Sequence, residues 1–327
     1  MTHSRPTIRE LLDSGSLAPR RDLGQNFVAD PNTVRRIAEL AHVGPGDRVV
    51  EIGAGLGSLT LALADTGADV VAIEVDHGVV PILRDVVADR PNVRVVEADA
   101  MHLDWADLLA GHDRWALVAN LPYNVATPLI CDLLDGVPAI STMLVMVQRE
   151  AAERFAARPR TPAYGAVSVK TAYWGSAKIV GHVPASVFVP RPNVESALVA
   201  ITRRQPPATD PTMLFTLVRA GFGQRRKMLR RSLAGVVAAD TYDVAGIAPT
   251  ARPEELDVDA WCRLTDAHLA ARRIAGDGDL RVDPDVTVEH DPDVTVEHDP
   301  DGTGEPDPDA AARPDTPIDL HAGDAPA

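Results

Sequence analysis

Short apolar runs rich in β-branched residues recur along the first two-thirds of the chain, separated by stretches with helical spacing. Arg48–Ile52, Val70–Ile73, Val93–Val96, Trp115–Val118 and Met143–Val147 read as buried strands, because near-continuous apolar runs suit strands covered on both faces. Leu59–Asp65, Gly78–Asp89 and Pro128–Leu134 suit the helices between them. Such alternation predicts an α/β fold with a mostly parallel, Rossmann-like doubly wound sheet. Val167–Tyr173 and Ser196–Ile201 are expected to add further strands, whereas Pro211–Ala275 is helical throughout. The resulting division is 1–205 for the sheet domain, 206–275 for a small helical domain and 276–327 for a tail.

Charge sharpens that division. The net charge of −15 argues against a nucleic-acid partner only until it is located. Positions 277–327 hold 16 acidic and two basic side chains, leaving 31 acids against 30 bases elsewhere. The body is thus near neutral, and local basic patches can dominate its surface. The tail is rich in Asp and Pro and carries the octapeptide Asp283–His290 repeated as Asp291–His298. It has too little apolar surface to offset its conformational entropy and reads as disordered. His290 and His298 read as part of a solvated spacer rather than as metal ligands, and no metal is expected. Cys131 and Cys262 form neither a disulfide framework nor a metal spacing. Met1–Ser16 offers no apolar run for a signal peptide, and no stretch approaches the roughly 20 apolar residues of a membrane span. A cytoplasmic protein is expected.

Candidate chemistry begins at Glu51-Ile-Gly53-Ala-Gly55-Leu-Gly57, between the first of these strands and a helix. Glycines permit a tight turn and close approach of a ligand to the backbone. Dehydrogenases use a related loop, so the loop alone does not choose a cofactor. The next strand ends in Glu74-Val-Asp76, placing a carboxylate to accept hydrogen bonds from a ribose diol. The third ends in Glu97-Ala-Asp99, and Asp99 is placed to receive an adenine amino group. Either acid alone reads equally as a helix cap. The pair, after a glycine loop, favours a nucleoside-containing cofactor.

The fourth strand runs into Asn120-Leu121-Pro122-Tyr123. An exocyclic aromatic amine is a poor nucleophile because its lone pair is delocalised into the ring. Accepting its hydrogens on the Asn120 side-chain oxygen and a carbonyl such as that of Leu121 favours a pyramidal, more reactive nitrogen. Pro122 stiffens the turn, and Tyr123 can stack on the base, a contact worth about 1–3 kcal/mol. In-line attack on a sulfonium methyl would then need positioning above all. An ordinary strand-to-turn junction is the plain alternative.

Together these motifs resemble the ribosomal RNA adenine N6-dimethyltransferases, and closely the bacterial small-subunit branch, from about Leu23 to Leu269. Leu23-Gly-Gln-Asn-Phe-Val28 is similar to the family's N-terminal cofactor segment, which implies cofactor contacts at Gln25, Asn26 and the Val28 backbone. Gly53, Gly55, Glu74, Asp99 and Asn120 match its other cofactor positions. Phe188-Val-Pro190-Arg-Pro192-Asn-Val194-Glu-Ser196 resembles a motif whose phenylalanine flanks the target base. Phe222-Gly-Gln-Arg-Arg-Lys-Met-Leu-Arg230 resembles its basic signature, so Arg225, Arg226, Lys227, Arg230 and Arg231 are the expected RNA contacts. Met146–Glu150, Glu153–Phe155 and Tyr164–Ser168 are similar to its central region. The resemblance implies a class I methyltransferase fold, S-adenosyl-L-methionine as cofactor, and transfer to two adjacent adenines near the 3′ end of 16S rRNA in an immature small subunit, by a monomer. Ala54 and Met228 depart from the usual proline and threonine without touching the chemistry.

Rival readings remain. The antibiotic-resistance branch of the family usually has isoleucine where Leu121 stands, and DNA adenine methyltransferases pair two prolines in the tetrapeptide. A ribosome-assembly factor that only binds would have no need of Asn120 and Tyr123. A dehydrogenase would be stabilised by NAD rather than by S-adenosylmethionine.

Overall fold

The computed structural model describes residues 2–20 and 22–274; the tail, with its repeat and with His290 and His298, lies outside them. In chain order the elements are α1 (Arg5–Ser14), β1 (Phe27–Val28), α2 (Pro31–Leu40), β2 (Arg48–Ile52), α3 (Ser58–Ala64), β3 (Asp69–Glu74), α4 (Val79–Val86), β4 (Val93–Glu97), α5 (Trp105–Leu108) and β5 (Trp115–Asn120). Then come α6 (Tyr123–Gly136), β6 (Ile140–Gln148), α7 (Arg149–Ala156), α8 (Ala166–Trp174), β7 (Gly175–Val183), β8 (Phe188–Val189) and β9 (Ser196–Arg203). α9 (Pro211–Phe222), α10 (Leu229–Ser232), α11 (Thr241–Val244) and α12 (Val258–Ile274) complete the described chain.

Among the described residues seven strands form one sheet in the order β4-β3-β2-β5-β6-β9-β7. β4 through β6 are parallel, and β9 and β7 join antiparallel. All five expected parallel strands are present, and so is the strand expected at Ser196–Ile201. The apolar runs divide between the two faces by strand periodicity. Val49, Val118 and Leu144 pack with Val34 and Ile37 of α2 and with Leu59 and Leu63 of α3. Val50, Leu117 and Met143 face Leu129, Ile130 and Leu133 of α6.

Val167–Tyr173 is not a strand. It forms α8, which starts where the Ser168 hydroxyl accepts the Gly165 N–H at 3.0 Å and donates to the Arg154 carbonyl at 2.6 Å. Its alternating Val-Ser-Val-Lys-Thr pattern suits a strand, yet Val169 and Tyr173, one helical turn apart, are buried with Leu214 and Leu217 of α9 and Trp261 of α12. Tertiary packing overrides the local pattern. Sequence reasoning missed the two-residue strands β1 and β8 and, in the seven-stranded sheet, β7, which carries two glycines and sits at the edge with β9 as its partner.

Helix starts are set by local chemistry. Asp30 accepts the N–H groups of Asn32 and Thr33 ahead of Pro31, and Asp210 that of Met213 ahead of Pro211. α6, which begins at the Asn-Leu-Pro-Tyr turn, is secured at its far end by Arg203. That guanidinium donates to the carbonyls of Leu133 (3.0 Å), Leu134 (2.8 Å), Val137 (3.1 Å) and Ile140 (3.0 Å). A cation there also favours the helix dipole. Arg203→Met keeps the stem but strands these carbonyls, and should cost about 2–3 kcal/mol in chemical unfolding; a loss below about 0.5 kcal/mol would refute the anchoring role.

Candidate active site

The carboxyl ends of β2, β3 and β5 meet the N-terminal segment in one cleft, where neighbouring strands of an open sheet diverge. Its walls include Leu23–Val28, Gly53–Leu56, Glu74, Val75 and Asn120–Tyr123. Most of the residues expected to act together are therefore gathered in one place.

Asn120 ends β5, and its Nδ2 donates to the Asn26 carbonyl at 3.0 Å. A carbonyl can only accept, so the amide is oriented: nitrogen toward Asn26, with Oδ1 left as an acceptor that meets no donor among the described residues. The neighbouring Leu121 N–H donates to the Met146 carbonyl of β6 at 3.1 Å, while the Leu121 side chain is buried. Pro122 caps α6, its carbonyl accepting the N–H groups of Val125 and Ala126. The turn is thus held by the sheet on one side and a helix on the other. Tyr123 opens α6, and its hydroxyl lies 2.7 Å from the Ser196 hydroxyl. Burial pushes its phenol above the ordinary tyrosine range, so it is neutral.

The opposite wall is the glycine loop. Gly53 and Gly55 have φ of +72° and +55°, where L residues are strained. A Cβ on Gly53 would stand 3.6 Å from the Asn120 carbonyl oxygen, and one on Gly55 would meet the Phe27 ring at 3.1 Å. The missing side chains keep the crevice between loop and turn open. Glu74 braces the loop: Oε2 accepts the Gly55 N–H at 2.7 Å, and Oε1 accepts those of Val75 and Asp76. Oε1 is saturated and Oε2 retains room for one further donor. Burial raises the Glu74 pKa, opposed by these three N–H groups.

The remaining expected residues are placed less directly. Gln25 donates to Asp76 at 2.7 Å and accepts the Arg20 N–H at 2.8 Å, so its amide ties the N-terminal segment to the loop after β3. Asn26 turns its own amide to the Gly24 carbonyl. Val28 pairs with Phe188 across β1 and β8. Asp99 sits past the end of β4, outside the cleft walls, accepting from the Met101 N–H and His102, which hold its pKa low. Phe188 is fully buried among Val28, Val34, Ile37 and Leu198 and is not among the residues that line the cleft. An apolar ring beside this core gains more from burial than from the solvated crevice. The basic run occupies a turn and the single-turn α10. Arg225 donates to the Pro162 carbonyl, whereas Arg226, Lys227, Arg230 and Arg231 are exposed.

Three contributors escaped sequence reasoning. Glu51, in the middle of an apolar strand, lines the cleft and accepts from Thr60 at 2.6 Å; burial pushes its pKa up to about 8. The signal was an acid inside Val-Val-Glu-Ile. His3 donates through Nε2 to the Leu56 carbonyl at 2.8 Å, and nothing in its surroundings in sequence announced it. Val75, an exposed apolar side chain beside Glu74, also lines the cleft and suits the face of a flat ring.

A ribosomal RNA adenine dimethylase model matches residues 17–268. The chain belongs to the ribosomal RNA adenine dimethylase family. It is 45% identical to ribosomal RNA small subunit methyltransferase A of Cutibacterium acnes, over 84% of this chain and 97% of that one. To the protein of the same name from Nocardia farcinica it is 46% identical, over 79% and 92%. The fold matches a dimethyladenosine transferase from Plasmodium falciparum (TM-score 0.65, 23% identity, 76% and 97% covered). It also matches the 23S rRNA methyltransferase ErmE (TM-score 0.56, 28% identity, 74% and 98% covered). Like other members of this dimethylase family, the chain is an S-adenosylmethionine-dependent rRNA adenine methyltransferase. The open glycine crevice and the remaining acceptor on Glu74 fit a nucleoside cofactor.

Glu51 yields a test. Its folded pKa of about 8 lies above the ordinary 4.5, so the stabilisation is full below about pH 4.5 and lost as pH rises through about 8. In thermal unfolding of the cofactor-free dimethylase, Glu51→Gln should gain several degrees on the parent between pH 6 and pH 9. A difference independent of pH would show that Glu51 does not titrate there.

Proposed function

We propose that this enzyme dimethylates the N6 amino groups of two adjacent adenines near the 3′ end of 16S rRNA, acting as a cytoplasmic monomer on an immature small subunit. The observation that carries the chemistry is the oriented Asn120 amide, whose Oδ1 stands unengaged beside the glycine loop. The choice of small-subunit RNA rests on curated relatives of that name that match over nearly their whole length. Among the described residues no helix is long and apolar enough to cross a membrane.

The glycine loop, Glu74 and the Asn26–Val28 segment would hold S-adenosylmethionine, which would supply an electrophilic methyl group. The chain's own residues act on the base. In the first transfer Asn120 Oδ1 and the Leu121 carbonyl accept the two N6 hydrogens, which localises the nitrogen lone pair. One of these protons leaves after the methyl arrives, and in the second transfer the single remaining hydrogen is held by one of the two acceptors. Tyr123 offers a face on which the extruded adenine stacks. Neither contact requires a proton to move before the methyl does. Arg226, Lys227, Arg230 and Arg231 in the 206–275 domain take phosphates, positioning the RNA without reading its bases.

Asn120→Ala should lower single-turnover methyl transfer to under-methylated small subunits about 100-fold or more, the scale of losing a preorganised polar contact, with particle binding retained. Equal loss of binding would refute the acceptor role. Replacing the four exposed cations by alanine should flatten the salt dependence of particle affinity by about 0.7–0.9 in log–log slope per lost contact. An unchanged slope would place the RNA contacts elsewhere.

A further inference from the structure

The Phe188–Ser196 segment reaches the cleft from its far end. Ser196 opens β9 and is fully buried. Its backbone pairs with Gln148 of β6 on one side and Val183 of β7 on the other, so it cannot shift without disturbing two ladders. Its hydroxyl meets Tyr123 Oη at 2.7 Å, and neither hydroxyl has another hydrogen-bond partner among the described residues. Tyr123 is thereby fixed at two points. Its Cα is set by the start of α6 after Pro122, and its phenol oxygen by the rigid strand. Breaking the contact would leave a buried serine hydroxyl unsatisfied.

We propose that Ser196 is a positioning residue for methyl transfer, holding the long axis of the Tyr123 ring in place so that the ring stays beneath the target adenine. The proposal depends on the reading of Tyr123 as the stacking face. A ring anchored only at Cα can swing about its side-chain torsions, and a base stacked on it swings too. N6 then leaves the Asn120 and Leu121 acceptors for part of the time, and a reaction that depends on orientation slows. Particle affinity is governed by phosphate contacts elsewhere, so the loss falls on kcat rather than on KM.

The test is a double-mutant cycle in the full-length enzyme with under-methylated small subunits as substrate. Ser196→Ala and Tyr123→Phe should each lower kcat about 10-fold, with KM for the particle and S-adenosylmethionine affinity within about twofold of the parent. The double variant should lose no more than either single one. Losses that multiply to about 100-fold, or a Tyr123→Phe enzyme with the parent kcat, would overturn the proposal; the second result decides the matter even if Ser196→Ala fails to fold. Tyr123→Ala separates the two ideas. Should it be impaired while Tyr123→Phe is not, only the tether is wrong; should it keep the parent kcat, the stacking reading fails first.

Discussion

The hydrogen bond from Asn120 Nδ2 to the Asn26 carbonyl joins two parts of the chain that lie 94 residues apart in sequence. One is the end of a central strand, buried in the sheet. The other is an N-terminal segment of little regular structure, fastened by a two-residue pairing to β8. The bond decides which way the Asn120 amide faces, and with it whether the cleft offers an acceptor or a donor to an amino group. A flipped amide would present two N–H groups to a nucleophile that needs acceptors. The acceptor reading of Asn120 therefore depends on the N-terminal segment being in place, and Val28 secures that segment by packing with Val118 and Met146 of the sheet.

The glycine loop is the second half of the same constraint. Its positive φ values bring the backbone within reach of the Asn120 turn, and Glu74 then holds the Gly55 N–H from below. Because Glu74 is largely committed to three backbone donors, it works first as a brace. Its remaining acceptor capacity is what a ribose hydroxyl can use. Bracing explains why a buried acid is tolerated here: each N–H offsets part of the desolvation.

The parallel strands, the glycine loop and the Asn-Leu-Pro-Tyr turn were legible because each is a local signal. Apolar runs, glycine spacing and strand ends are written in consecutive residues. What stayed hidden depends on contacts between distant positions. Val167–Tyr173 alternates like a strand but is claimed as a helix by α9 and α12. Gln25 resembles a ligand contact, yet its amide is occupied by Asp76 and Arg20, facts that no window around residue 25 contains. Glu51 and His3 enter the cleft only once the sheet and the N-terminal segment are assembled.

Phe188 and Ser196 illustrate why motif and mechanism need not coincide. The segment between them links two walls of the cleft: its first residue pairs with Val28 and fills the core beneath the N-terminal segment, and its last residue tethers Tyr123. Removing the Phe188 ring would empty a site at the heart of that packing, at a cost of about 3–5 kcal/mol. It would also loosen the strand pairing that holds Asn26 where Asn120 can reach it. Activity would fall whether or not Phe188 ever touches a base, so its loss cannot by itself assign a base contact. The same burial that keeps the walls together makes the residues between them look catalytic.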